Sequence, residues 1–308
     1  MEATQDHDWD VLVVGRSYAG LSAALNLGRA RRSVLVAGQG GPRNGAVRHV
    51  HGLLTRDGAD PNDIVATAEA ELERYPTVEL VDTRVTGLTA LPGGGFRASF
   101  DKGVATATTV VLATGANDDP PPIPGLAERW GRGVFTCPYC DGFEHADLHL
   151  AIVGDAAWVP HLSRVVSGWS DRVTAFSSDL DPAAAADLEA HGVRVETRPV
   201  ARLSGEGPTL AVELADGTEV PVGAVFVAKL PHPNSGLAVE LGCEVDANGF
   251  VVVDDLRRTT VPGVSAIGDV IPMRNNMAMG IADGAMAAGQ VNMALMERTW
   301  PVPVPASA

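Results

Sequence analysis

Two of the three cysteines of the chain stand three positions apart, in Cys137-Pro138-Tyr139-Cys140-Asp141-Gly142. A thiolate is the nucleophile of disulfide exchange, and a C-x-x-C spacing brings both sulfurs within bonding reach. In a reducing compartment such a pair is either half of a metal site or a redox couple. No second C-x-x-C, and no histidine pair of zinc-site spacing, completes a tetrahedral zinc set, so redox chemistry is the stronger reading and no metal is expected. Asp141, beside the couple, could shuttle the proton that thiol chemistry must move. The plainer alternative is a pair of structural cysteines. Cys243 has no partner in the sequence and reads as a small buried apolar residue.

Redox chemistry needs elements that hold an electron carrier. Asp10-Val11-Leu12-Val13-Val14 reads as a buried strand, and Gly15-x-Ser17-x-x-Gly20 follows it. A stretch with helical spacing, Leu21 to Arg31, leads to a second strand, Ser33 to Ala37. This is the opening unit of a dinucleotide-binding fold. The first glycine permits the tight turn, small Ser17 allows a pyrophosphate close to the backbone, and Gly20 allows the helix to pack on the strand. An anion would sit at the helix N-terminus.

Two further strand tips carry small residues, Ala113-Thr114-Gly115 and Gly268-Asp269. Asp269 could accept hydrogen bonds from a cofactor's hydroxyls, or simply cap the next helix. The strand–turn–helix–strand layout recurs at Leu150 to Gly154, 157–168 and Arg172 to Phe176, and the same interval separates Gly15 from Val34 and Gly154 from Val173. The repetition predicts two similar domains, joined through the proline-rich Asp118 to Gly125. Short strands are predicted near 110–113, 193–196 and 225–227, and a last long helix from about 281 to 296.

The 308 residues are 45% apolar and 20% charged, enough for a substantial core and unlike a disordered, collagenous or disulfide-rich chain. A net charge of −15, with no basic run, disfavours nucleic acid and anionic membranes as partners. The acidic start, Met1 to Asp8, has no apolar stretch of signal-peptide type, and no run approaches the ~20 apolar residues of a membrane span. A cytoplasmic protein is expected.

In this order and spacing, the Gly15 turn, Ala113-Thr114-Gly115, the Cys137–Gly142 motif and Gly268-Asp269 resemble the low-molecular-weight thioredoxin reductase family, over almost the whole chain. The resemblance implies an α/β fold of two Rossmann-like, three-layer domains, the second inserted into the first. An FAD domain is expected over 1–117 and 244–308, and an inserted domain with the cysteine pair over 118–243. By the same resemblance Cys140 faces the flavin, Cys137 exchanges with substrate, Asp141 serves as acid and base, and the protein is a homodimer. The FAD site is expected to draw on Gly15, Ser17, Tyr18, Ala19 and Gly20, and on Gln39, Arg43, Asn44 and His49. Val85, Ala113, Thr114, Gly115, Gly268, Asp269, Met277 and Ala278 complete the expected set. Gly38 stands where the family commonly has an acid for the adenosine ribose; Gln39, Arg43 and Asn44 could compensate.

The family's reductases bind NADPH at the second glycine turn. Here that turn reads Gly154-Asp155-Ala156-Ala157-Trp158-Val159-Pro160, with a charge that repels phosphate and bulk where close approach is needed. Ser177-Ser178-Asp179 replaces the basic cluster that would hold a 2′-phosphate, although Asp179 leaves an NADH site conceivable. A dithiol flavoprotein without a nicotinamide site must take electrons from a dithiol and pass them to oxygen. The pattern is closest to the family's natural-product dithiol oxidases, of gliotoxin and holomycin type.

His49-Val50-His51 and Lys229 to Asn234 fit that branch, and either histidine could deprotonate a substrate thiol or merely bond a backbone carbonyl. The expected activity is FAD-dependent oxidation of a small-molecule dithiol, with O2 as acceptor and H2O2 as product. An NAD(P)H- or ferredoxin-dependent reductase and a non-catalytic flavin-binding regulator are the alternatives. Met286, Met293 and Met296 share a helical face, read as core or dimer seam, while Met277 and Met279 could lie against the flavin or an apolar substrate. Met273 completes this methionine-rich end.

Overall fold

The computed structural model describes residues 8–39, 41–272 and 276–300, and Met273 lies outside them. The chain divides into two compact units, each an α/β structure. The first comprises residues up to Arg43, Asn62–Asn117 and those from His232 on; the second comprises Asn44–Pro61 and Asp118–Pro231. The expected divisions had kept 1–117 together and carried the inserted domain to 243. In the structure Asn44–Pro61 packs with the second unit, and Gly131 shows why: a Cβ there would lie 2.7 Å from the carbonyl oxygen of Ala46.

In the first unit Trp9–Val14 is the central strand, with Val34–Ala37 and Val78–Val81 to one side and Val104–Leu112 to the other, all parallel. Val11 is opposite both Val34 and Thr109. Val264–Ala266 pairs with Val104–Leu112 in parallel, and an antiparallel ribbon, Phe96–Phe100 and Val85–Ala90, extends that side. Alternate residues serve two cores: Val11, Val13, Val36 and Val111 face one, and Leu12, Val14, Leu35 and Leu112 face the other. A parallel sheet covered on both faces reads as an unbroken apolar run, which is why these strands are visible in sequence. Burying each such side chain stabilises the fold by about 1.5–3 kcal/mol.

Helix Tyr18–Arg29 buries Gly20, Leu21, Ala23, Ala24, Leu27 and Gly28 along one face. Met277–Thr299 packs on it so closely that a Cβ at Gly284 would lie 2.3 Å from the Ala19 carbonyl oxygen. The outer face of this last helix removes the core alternative for its methionines and leaves that of a dimer seam. Met286 and Met293 are 41% and 51% exposed, and Met279 and Met296 are also exposed, so none is core. Apart from Asp283, which pairs with Arg257, the buried positions are instead small or aliphatic: Gly280, Gly284, Ala287, Ala288, Val291 and Leu295. No described helix is long and apolar enough to cross a membrane.

The second unit repeats the design. Leu150–Gly154 lies between Val173–Phe176 and Ala224–Ala228, with Arg194–Glu196 and Val134–Phe135 at the edges, all parallel. Helices Val159–Val166 and Pro182–Ala190 accompany the sheet, the second capped by Asp181, whose carboxylate accepts from the N–H groups of Ala183 and Ala184. A three-stranded antiparallel sheet, Val200–Ser204, Ala211–Leu214 and Glu219–Pro221, contributes Leu203, Val212 and Leu214 to a second core. Cys243, in the first unit, is buried as expected, with its thiol donating to Thr259 Oγ1.

Candidate active site

Cys137 precedes the single turn Pro138–Asp141 and accepts, at its carbonyl, from the N–H groups of Cys140 and Asp141. Pro138 suits the first helical position, where no N–H partner is needed. The turn brings the Cα atoms of Cys137 and Cys140 to 5.3 Å, and the two residues form a disulfide. Gly142 ends the turn because a Cβ would meet the Pro138 carbonyl at 2.4 Å and the Trp169 ring at 3.0 Å. Tyr139, between the cysteines, stands edge-on to Trp169 and is largely exposed.

Asp141 has the proton affinity such a site needs. Burial pushes its carboxyl up to about 7, the charge of Glu144 adds to the rise, and His51 opposes it. Asp141, Glu144, His49, His51 and His145 line a cleft of about 420 Å³ within the second unit. One wall comes from a hairpin in which the Val50 N–H donates to the Ala59 carbonyl and the Gly58 N–H to the Val50 carbonyl, with His49 and His51 on either side of Val50. His51 directs Nδ1 to Asp57 Oδ1 at 3.5 Å and Nε2 to Glu144 Oε1 at 3.4 Å. His49 lies against the Gly58 carbonyl through Nδ1 at 3.1 Å. On the other wall His145 contacts the Asp141 carbonyl through Nδ1 and meets the Phe135 ring at a tilt, with centroids 4.9 Å apart.

The two glycine turns differ in detail. Gly15 and Gly154 both have positive φ, and in each a Cβ would strike the carbonyl of the neighbouring strand, Ala113 at 2.0 Å and Ala228 at 2.4 Å. After Gly15 the helix begins at Tyr18, has no acid in its first turn, and is not capped by the Ser17 side chain. After Gly154 the chain makes an extra turn: Trp158 and Val159 both donate N–H groups to the Asp155 carbonyl, at 2.8 and 3.1 Å. Pro160 has no N–H to offer. Two N–H groups at this helix end are thus spent on its own turn. Ser178 and Asp179 are exposed beyond the next strand.

The first turn fits a dinucleotide. Gly20 is required because a Cβ would lie 2.0 Å from the Gly15 carbonyl oxygen, and Ala19 packs beside Gly268 and Gly280. Asp269 does not cap the last helix, a role taken by Asn276, which accepts from the Ala278 N–H at 2.8 Å. Asp269 instead meets Arg43 at 2.9 Å, so two expected cofactor residues form one ion pair. The Thr114–Gly115 tip is held by Asn234, through the Thr114 hydroxyl on the Asn234 carbonyl and the Asn234 amide on the Thr114 carbonyl. Val85 is buried at the start of its strand, Met277 is half-buried and Gln39 is exposed. Asn44 falls in the second unit. Gly38 has no room for the acid expected there, since a Cβ would come within 2.7 Å of the Arg16 backbone nitrogen. Arg16 itself pairs with Glu69 at 2.5 Å.

The profile of the pyridine nucleotide-disulphide oxidoreductases matches residues 9–290. The chain belongs to that family. As a member of the pyridine nucleotide-disulphide oxidoreductases it is an FAD-binding, flavin-dependent disulfide oxidoreductase. Among curated relatives, thioredoxin reductase aclD of Aspergillus oryzae is 32% identical, over 91% of this chain and 94% of that one. Among solved structures, HlmI superposes with a TM-score of 0.90 at 35% identity, over 96% of this chain and 95% of its own. The oxidoreductase from Agrobacterium tumefaciens gives 0.86 at 36% identity, over 94% and 98%.

Within this family member the structure gathers Asp141, His49 and His51 at one cleft and keeps the cysteine pair on the same turn as Asp141. Sequence reasoning misses Glu144, His145 and Asp57, and reaches Asn234 only as the end of the Lys229–Asn234 segment. Glu144 and His145 follow Asp141 by one helical turn, a spacing that could have revealed them. Asp57 and Asn234 act across loops, with no local pattern to announce them.

Proposed function

We propose that the chain is an FAD-dependent dithiol oxidase that closes a disulfide in a small natural-product dithiol, with O2 as acceptor and H2O2 as product. The observation that carries this reading is the Asp155 carbonyl, which takes the Trp158 and Val159 N–H groups where a nicotinamide dinucleotide would need them. Beside it, the disulfide and its acid are intact.

Cys137 receives the first substrate sulfur, and Cys140 leaves as a thiolate. Asp141, neutral below about pH 7, supplies the proton that Cys140 needs. The second substrate thiolate then displaces Cys137, giving the cyclic disulfide and a reduced pair. His49, with Nδ1 on a carbonyl, keeps Nε2 for accepting a thiol proton. FAD, when bound, supplies a two-electron acceptor that oxygen can reoxidise. Gly15, Ser17, Tyr18, Ala19 and Gly20, with Arg43 and Asp269, would hold it. His49, assigned to both roles from sequence, is kept here as a thiol base.

The reading includes a cytoplasmic homodimer. Met279, Met286, Met293 and Met296 form an exposed apolar stripe on the last helix, and a second copy is its proposed cover. The relatives' name favours a second reading, a nicotinamide-driven reductase. Anaerobic titration of the purified holoprotein separates the two. Bleaching of the flavin by a small dithiol, with recovery and peroxide in air, is expected; rapid bleaching by NADPH or NADH would make it a reductase.

A further inference from the structure

The two histidines, equivalent in sequence, are not equivalent in the structure. Both ring nitrogens of His51 face carboxylates, Asp57 on the exposed hairpin and Glu144 in the cleft, leaving none for a substrate thiol. Glu144 follows Asp141 by three residues and shares its cleft. We propose that Asp57, His51 and Glu144 form a proton path from solvent to Asp141, so that His51 is a relay and Glu144 its link to the acid.

The path rests on the thiol–disulfide exchange described above. In the first exchange a substrate S–H bond breaks, a substrate-sulfur–Cys137 bond forms, and the Cys137–Cys140 bond breaks with its electron pair on Cys140. The substrate proton leaves to His49 Nε2 and then to water, and Asp141 gives its own proton to Cys140. One proton is then missing from Asp141, and the path returns it from solvent. Imidazole suits the middle position because it accepts at one nitrogen while donating at the other.

Glu128 and Glu206 also line the cleft, while its basic groups are engaged elsewhere. On its own segment Arg48 is exposed and His49 is turned to Gly58. Across the cleft Arg129 donates to the carbonyls of Gly205 and Gly125, and Arg132 to that of Glu128. His145 is tied to the Asp141 carbonyl. These arginines are fixed positive charges rather than proton carriers.

The test is the reaction of the holoprotein with dithiothreitol, air excluded, followed by flavin bleaching and by chromatography of oxidised dithiothreitol. Glu144→Gln and His51→Gln are each expected to slow it at least ~10-fold. The double variant should be no slower than either, Glu144→Asp should recover most of the rate, and added imidazole should rescue the glutamine variants in proportion to its concentration. Wild-type rates in the variants would overturn the path. So would slow variants that imidazole does not rescue, or a double variant whose losses multiply. The exchange occurs whichever way electrons travel afterwards, so these outcomes leave the oxidase reading standing. A wild-type protein inert to dithiothreitol would remove both.

Discussion

The N–H of Val159 donates to the carbonyl of Asp155 at 3.1 Å, and the second glycine turn is closed by its own backbone. On the oxidase reading it is this main-chain oxygen, rather than the Asp155 carboxylate, that keeps a nicotinamide out. Removing the charge is then expected not to open a site. Wild-type protein and Asp155→Ala are both expected to show no flavin bleaching within minutes of adding NADPH or NADH, as read by stopped-flow absorbance. Fast bleaching in the variant alone would mean that the charge, not the turn, keeps nicotinamides out.

Asp141 links chemistry to stability. Its carboxyl is raised to about 7 in the folded protein, chiefly by burial, while the unfolded chain keeps the usual value near 3.8. Between these values the folded state holds a proton that the unfolded state has lost, so the group lowers stability progressively from about pH 4 to pH 7. The full penalty persists above that range. Asp141→Asn should therefore melt higher than wild type at pH 8, by an amount on the order of 1 kcal/mol after solvent screening, and match it near pH 4. The same variant should lose about 10²–10⁴-fold in dithiol exchange, because the amide cannot release a proton. Melting curves at two pH values, beside exchange rates, check both halves.

Gly15 sits with φ 121° and its missing Cβ would fall 2.0 Å from a backbone oxygen. Gly15→Ala should purify colourless or release FAD on gel filtration, and the flavin-to-protein absorbance ratio measures this directly. A fully yellow variant would show that the turn can shift at little cost.

The methionine stripe predicts an assembly change. Met286→Glu with Met293→Glu places two charges on residues that are already exposed, so the fold should survive while the proposed dimer becomes a monomer. Light scattering after gel filtration reads the mass, and an unchanged dimer would move the interface elsewhere.

What could be read ahead of the structure was local. Trp9–Val14 and Leu150–Gly154 announce themselves as apolar runs ending in glycine, and Cys137–Cys140 by spacing alone. The long helix is legible in the sequence, but a shared face for Met286, Met293 and Met296 fits core and dimer seam alike; Gly280, Gly284 and Ala287 take the inner face by permitting close approach to Tyr18–Arg29. Other features depend on distant chain meeting distant chain. Asn44–Pro61 joins the second unit through contacts with residues near Gly131, and Asn234 clamps Thr114 across 120 positions. The empty place at Gly38 looked like a lost ribose ligand, whereas the Arg16 backbone leaves it no space.

The burial of Cys243 gives the protein a clean internal ledger of its redox state. Burial raises its thiol's proton affinity and hides it from reagents, so it stays silent while the protein is folded. Every sulfur that a gentle alkylating reagent captures then belongs to Cys137 or Cys140, and a mass shift of zero, one or two labels reports the disulfide, the mixed disulfide or the open pair. The third label appears only on unfolding, so one spectrum separates oxidation from damage.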